Sequence, residues 1–432
     1  MQKYLRLLAI LGVVALLAAA CGDDGGEVDP EATGGVTEGA CPEGDVCVEV
    51  AEGDPIKIGT LLSISGDTAS LGLDSQAGAE LGADYLDGAF DDTFGQIAGH
   101  DVEFVHEDDG CAPEGGTTGG RRLASDPGIT AVIGTTCSGS ALGVADTILG
   151  DEQIVLISPS NTSPALTHPD THNEFYARTA HNDVIQGATM AQFASEELGV
   201  TTAATIHDGS PYADGLQQSF CESLSTLYGG ECVAQEAIQV GDTDFQPTLT
   251  DIAADAPEML FFPIFLPEGG LIAQQAADIS GLADTALAGA DGLWTPDFVE
   301  SAGDAAEGVY LSAPSLEFAG DFYEAEFLPA YTDHTGEESP TAAFHAHSYD
   351  AFNIVANAIE EVAVEGDGVT LIPKQALRDA VFATSGYEGI TGTLSCNEDG
   401  DCQPTATMAV HQVEGGDVDN PIFTSTVELE GA

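Results

Sequence analysis

The strongest constraint on how this chain can fold is an alternation that runs through it twice. From Pro55, apolar runs and helical stretches take turns: the run IKIGTLLSI (Ile56–Ile64), a helix through GLDSQAGAELGADYLDGAF with Ala77, Leu81, Tyr85 and Ala89 on one face, the run HDVEFVHEDD, and a helix over 114–125 stopped by Asp126-Pro127-Gly128. After FYART (Phe175–Thr179) it restarts, with helices in DVIQGATMAQFASEELG, YADGLQQSFCESLSTLYG and EGGLIAQQAADISG between runs such as TTAATIHDG, EMLFFPI and ALAGADG. Strand–helix–strand order places parallel strands in one sheet covered by helices on both faces. Two such series in 432 residues predict two α/β halves. Further on, GVYLSAPS reads as a strand, 321–334, 341–363 and 373–384 as helices, and the end from Gly389 as a β-hairpin about a Cys396–Cys402 tip.

The stretch Ile129–Thr167 holds the first half's chemistry. ITAVIG reads as a strand buried on both faces, and it ends at Thr135, Thr136, Ser138 and Ser140. IVLIS (Ile154–Ser158) ends in a second polar turn with Ser160, Asn161 and Thr162. Two neighbouring parallel strands therefore deliver hydroxyls to one carboxyl-end edge, where open α/β sheets bind ligands. The second half offers Tyr212, Phe265 and Asp291 at its own strand ends. Singly these are ordinary helix caps, core rings and a turn aspartate. Jointly, hydroxyls on one wall face a carboxylate and two rings on the other, which suits a small zwitterion with an apolar side chain.

Charge narrows the partners. With 73 acids against 8 Lys and Arg, a formal net charge of −65 repels nucleic acid phosphates. An acidic exterior that stays hydrated in concentrated salt points to a saline habitat. The opening MQKYLRLLAILGVVALLAAAC has a basic start, an apolar run from Leu7 to Ala20, and small residues before Cys21. It reads as a secretory signal (1–21) whose ending resembles a bacterial lipobox, with Cys21 as the acylated residue. Residues 22–54, rich in Gly, Glu and Asp, are expected to be a flexible acidic linker.

Setting Cys21 aside leaves eight cysteines, an even number that suits an oxidising compartment. Proximity pairs them as Cys41–Cys47, Cys111–Cys137, Cys221–Cys232 and Cys396–Cys402, although eight cysteines allow 105 connectivities. No CxxC or CxxC/HxxxH pattern supports zinc, and no calcium loop occurs, so no metal is expected. Nucleophile elbow, P-loop, dinucleotide fingerprint and HExxH are all missing, so neither catalysis nor a cofactor is expected.

From Ile56 to about Val413 the chain resembles the type I periplasmic binding proteins of branched-chain amino acid ABC importers. The resemblance is carried, in family order, by IKIGTLLSISGDTASLG, EDDGCAP, AVIGTTCSGSAL, ISPSNTSPALT, FYARTAHNDVIQG, IHDGSPYADGL, GDTDFQPTL, FFPIFLPEGGLIAQQA and GADGLWTPDFVESAGDAAEGVY. It implies two doubly wound lobes joined by three crossovers: 55–179 with 312–389, and 180–311 with 390–432. It implies that Ser138 and Thr162 hold a ligand's carboxylate and ammonium, that Ser160 helps through its backbone, that Asp291 pairs the ammonium and that Tyr212 covers the ligand. The Cys111–Cys137 pair also matches a family disulfide. Leu71 stands where the family commonly has a bulky aromatic residue, and Phe265 lacks the hydroxyl of the tyrosine often found there.

The expectation is thus a monomeric, lipid-anchored, extracytoplasmic solute-binding protein that takes a small branched-chain or otherwise apolar amino acid to an ABC permease. The alternatives are a binder of a related amide, urea or aromatic acid, or a ligand-sensing receptor domain.

Self-repulsion among 73 acids is screened by salt, whose Debye length falls from about 10 Å at 0.1 M to about 3 Å at 1 M. The thermal midpoint is expected to rise between low and molar NaCl. A scan showing no gain would remove the saline reading.

Overall fold

The computed structural model describes residues 40–145, 149–403 and 405–428. The expected signal peptide, its Cys21 and residues 22–39 of the expected linker lie outside the described residues. Following the chain, β1 (Cys47–Ala51) and β2 (Ile56–Leu62) precede α1 (Ala69–Asp84); β3 (Gln96–Ile97) and β4 (His100–Asp108) lead to α2 (Pro113–Ala124), β5 (Ile129–Gly134), α3 (Ser138–Val144), β6 (Leu156–Ser158) and β7 (Tyr176–Arg178). The second series is α4 (Asp183–Glu196), β8 (Thr202–His207), α5 (Pro211–Tyr228), β9 (Glu231–Ala237), α6 (Gln246–Ala254), β10 (Met259–Phe261), α7 (Glu268–Ala277), β11 (Ala286–Gly289), α8 (Pro296–Ala302) and β12 (Tyr310–Pro314).

The first sheet has the order β3-β4-β2-β5-β6-β7, parallel except for β3. All six residues of β5 are buried, as a strand covered on both faces requires. The second sheet adds two late strands, β17 and β18, to one edge. Its parallel part is β12-β11-β10-β8-β9. Each sheet starts at an inner strand and grows to both sides, so strand order reverses beside β2 and beside β8. Crevices open at the carboxyl ends of strands at such points.

After β12 the chain returns to the first half with α9 (Leu328–Thr335), α10 (His345–Val362), β13 (Val364–Glu365), β14 (Val369–Pro373) and α11 (Lys374–Phe382), then the paired β15 (Tyr387–Gly389) and β16 (Gly392–Leu394). Finally β17 (Thr405–Gln412) runs antiparallel to β12, and β18 (Pro421–Glu428) antiparallel to β17. Helix α10 packs so tightly on α1 that a Cβ on Gly78 would stand 2.0 Å from the His345 carbonyl oxygen. The start of α10 is fixed by the buried Asp74 carboxylate, which accepts from the His345 N–H (2.8 Å), the Phe344 N–H (3.1 Å) and the Tyr331 hydroxyl (2.9 Å).

Three expectations are corrected. Residues 40–54 are not linker: Cys41 is bonded to Cys47, and β1 pairs in antiparallel register with β14. Val48 and Val50 are its inward positions and both are buried, while Glu49 between them is exposed. That two-residue period was present in VEV, but five residues among Gly and Glu were too few to register. The return to the first half comes after Pro314 rather than at 312, because all of β12 pairs in the second sheet. The last crossover follows Gln403 rather than Gly389: Leu394 and Cys402 pack in the first half's core, and β16 pairs back on β15, not forward in one hairpin with β17. Alternation marks strands but does not say which neighbour each will pair with.

A fully buried Val is worth about 1.5–3 kcal/mol. A protein begun at Pro55, or carrying Val48→Asp, is therefore expected to lose at least about 2 kcal/mol of stability in urea unfolding; wild-type stability in both would mean that β1 is dispensable.

Candidate functional site

Six of the residues expected to contact a ligand line one small cavity between the halves: Leu71, Ser138, Ser160, Tyr212, Phe265 and Asp291, joined by Thr136, Cys137, Gly292 and Phe344. Each follows from where its strand ends. Leu71 opens α1 after β2, Thr136–Ser138 follow β5 and Ser160 follows β6, all at one edge of the first sheet. Tyr212 opens α5 after β8, Phe265 follows β10 and Asp291 follows β11, at the facing edge of the second. Phe344 enters from the residue before α10.

The first-half wall is braced by its own hydrogen bonds. Buried Asp109 accepts from the backbone N–H groups of Thr136 and Cys111, both at 2.7 Å, beside the Cys111–Cys137 disulfide. Burial pushes its carboxyl up to about 7. Ser138 Oγ accepts from the Ser163 N–H at 3.2 Å, and Ser160 Oγ donates to the Thr136 carbonyl at 2.9 Å. Asn161 does not line the cavity: its Nδ2 donates to the Thr135 carbonyl (2.8 Å), and its Oδ1 accepts from the Thr135 hydroxyl (3.1 Å) and the Tyr176 hydroxyl (3.3 Å). It positions the two turns. Thr162 also lies off the lining.

The whole turn hangs on Arg178, which is fully buried. Its guanidinium donates to the carbonyls of Asn161 (3.2 Å) and Ser163 (2.8 Å) and to the Thr167 hydroxyl (2.6 Å), and its Nε to Asp401. The partner Asp401 lies in the 396–402 loop closed by the Cys396–Cys402 disulfide; Cys41–Cys47 and Cys221–Cys232 are the other two bonds.

The second-half wall is organised about Asp291. Its Oδ1 accepts from the Tyr212 hydroxyl (3.0 Å) and Gln186 Nε2 (2.7 Å), and the Tyr212 oxygen in turn accepts from the Gly292 N–H at 3.2 Å. Gln186 is held by His181 Nε2 (2.6 Å) and the Ser312 carbonyl (3.0 Å). Tyr212 and Phe265 face each other with ring centroids 4.9 Å apart. Burial raises the Asp291 carboxyl to about 6 despite the hydrogen bonds it accepts.

A second acid, Asp183, was not singled out in the sequence. It is fully buried at the start of α4, and neither of its carboxylate oxygens has a hydrogen-bond partner among the described residues. Burial first, and the nearby Asp291 carboxylate next, push its carboxyl well up. The neighbouring Thr162 hydroxyl makes no hydrogen bond within ordinary distance, yet it is close enough to the Asp183 carboxyl to oppose part of that rise. Two buried acids that repel each other beside a cavity are satisfied together by one positive charge. Of the two acids Asp291 lines the cavity, together with the Ser138 hydroxyl and with Leu71, Phe265 and Phe344 as apolar walls. Asp183 and Gln186 were findable as D-x-x-Q, one turn apart at a helix start; Phe344 carries no local signal.

The family described as periplasmic binding protein matches residues 55–417. The leucine-, isoleucine-, valine-, threonine- and alanine-binding protein of Pseudomonas aeruginosa is 28% identical over 348 residues, covering 81% of this chain and 87% of that one. Among solved structures, the branched-chain amino acid transporter substrate-binding protein LivJ of Streptococcus pneumoniae, in complex with isoleucine, aligns with a TM-score of 0.72 and 27% identity over 87% of this chain and 99% of its own. The leucine-binding protein LivK of Thermotoga maritima aligns at 0.73 and 24% identity, over 85% and 98%.

Asp291 binds its proton more tightly folded than unfolded. Its contribution to unliganded stability is therefore full below about pH 4 and is lost as pH rises through about 6. Asp291→Asn removes that loss, and is expected to stabilise the ligand-free protein at pH 7 by roughly 1–3 kcal/mol and to flatten the pH 4–7 slope. Equal urea midpoints for variant and wild type at pH 7 would contradict the strain assigned to this carboxylate.

Proposed function

Because the chain belongs to the type I periplasmic binding proteins of the branched-chain amino acid family, we propose that it is the solute-binding component of an ABC importer and captures a small apolar amino acid. The observation that carries this reading is the pairing of walls: the buried acid Asp291, with the buried Asp183 carboxylate near it, lines a small cavity together with the hydroxyl-bearing turn of the other half. The ligand ammonium lies between the acids, its carboxylate meets Ser138 and the N–H groups of that turn, and its side chain packs on Leu71, Phe265 and Phe344. Thr162, off the cavity lining and beside Asp183, reaches the ammonium side, while Asn161 acts by holding the turn.

No bond is made or broken in this work. Contacts from both walls exist together only when the halves are closed, so the ligand shifts an open–closed equilibrium. The hinge is formed by the three crossovers near Thr179, Ser315 and Gln403. The closed form is the one presented to a permease. The N-terminal signal and Cys21 support a lipid-anchored, extracytoplasmic location, with residues 22–39 as the tether.

Thermal-shift measurements on the protein from residue 40 onward, against leucine, isoleucine and valine, test the reading. Ligand at a hundred times its Kd adds about 2.7 kcal/mol of stability. Asp291→Ala is expected to abolish the response, and affinity is expected to fall below about pH 6 as Asp291 takes up a proton. A flat response to all three amino acids would sink the proposed ligand class.

A further inference from the structure

A second and larger cavity, of about 640 Å³, shares no lining residue with the first. Its walls come from both halves: Trp294 and His411 on one side, Tyr323 and Leu328 on the other, with the β17–β18 turn carrying Asp417 and Asp419 across its mouth. The volume falls in the range typical of small-molecule sites.

Two of its buried side chains have unmet hydrogen-bonding capacity. Trp294 is 2% exposed and His411 1% exposed. The indole Nε1 and both imidazole nitrogens are buried with no hydrogen-bond partner among the described residues; Asp419 Oδ1 approaches His411 Nδ1 only to 3.5 Å. Buried polar groups are nearly always partnered, so three such nitrogens around one cavity mark groups waiting for a ligand. Burial lowers the His411 pKa to about 4, which keeps the ring neutral, with one nitrogen a donor and the other an acceptor.

The charge has one sign. The lining includes Glu317, Glu324, Asp417 and Asp419 and neither Lys nor Arg. Burial raises the Asp419 carboxyl, and repulsion from Asp417 and Glu324 raises it further. A positive charge relieves that repulsion. Its N–H groups can donate to His411 and to the acids, whereas the Trp294 N–H requires an acceptor oxygen on the same molecule.

We propose that this cavity is a second ligand site, for a small protonated amine that also carries a hydroxyl or carbonyl oxygen. The site is separate from the amino-acid cavity yet mechanically next to it. The backbone N–H of Trp294 donates to the Asp291 carbonyl at 3.0 Å, and the Tyr323 hydroxyl lies 2.7 Å from Nε2 of His345, the neighbour of Phe344. An occupant touches both halves.

The single tryptophan of the chain is Trp294, so tryptophan fluorescence comes from a residue that lines this cavity. The protein from residue 40 onward is titrated with ethanolamine at constant chloride, with ethylene glycol as the uncharged control. A saturable change in Trp294 emission is expected with ethanolamine and not with glycol. Affinity is expected to drop severalfold in His411→Phe and in Asp419→Asn; the second lies on an exposed turn and serves if the first fails to fold. Saturating leucine is expected to leave ethanolamine affinity undiminished. A non-saturating response marks a solvent-filled void and overturns the site. Equal response to glycol overturns the cationic class, and competition by leucine shows ethanolamine in the amino-acid cavity and overturns a second site. The titration does not require leucine to bind, so failure of the importer reading remains distinguishable.

Discussion

A guanidinium sealed from water governs the architecture of the site. Of only eight Lys and Arg residues in the chain, Arg178 lies wholly inside, where an unpaired charge would be prohibitive. Asp401 neutralises it, and two backbone carbonyls and a hydroxyl take its remaining N–H groups. Its neighbours in sequence are the first crossover, and those of Asp401 lead into the last. One ion pair therefore joins the end of β7, the hydroxyl-bearing turn and the closing loop of the first half. Breaking such a pair from one side typically costs about 3–5 kcal/mol, because the other charge is left buried. Here the cost would fall on the geometry of the turn as well as on stability.

Much of this was legible from the residues, and the failures share a cause. The alternation gave both sheets, and the strand ends gave six of the ten cavity-lining residues, because a parallel strand must release its chain at one edge. What stayed hidden depends on partners far away in sequence. Val48 and Val50 read as spacer until β14, more than three hundred residues on, supplies their neighbour. Leu394 and Cys402 belong to the first half because of the core they enter, not because of any local pattern. Asn161 looked like a ligand contact from its place in the turn, yet its amide is spent on Thr135. Phe344 reaches the cavity only because Asp74 fixes where α10 begins.

The acids divide into two populations. Most are on the outside, where water and salt accommodate them. A few are sealed in, and these sit at decisive places: Asp109 under the first-half turn, Asp291 at the cavity with Asp183 near it, and Asp350, raised to about 6 by burial, which accepts from the N–H groups of Ile390 and Thr391. Where the surrounding N–H groups are backbone, the carboxylate serves as scaffold. Where its oxygens lack partners, as at Asp183, it does no such bracing.

The short strand β1 bears on mechanics. It fastens the amino-terminal side of the chain to the first half alone, through its five-residue pairing with β14 and the Cys41–Cys47 bond. On the proposed lipid-anchored reading, a pull on the amino-terminal side enters one half along that ribbon. The other half, joined to it in covalent terms by the crossovers, would on that reading be the one that swings, and it is the half that carries Asp291.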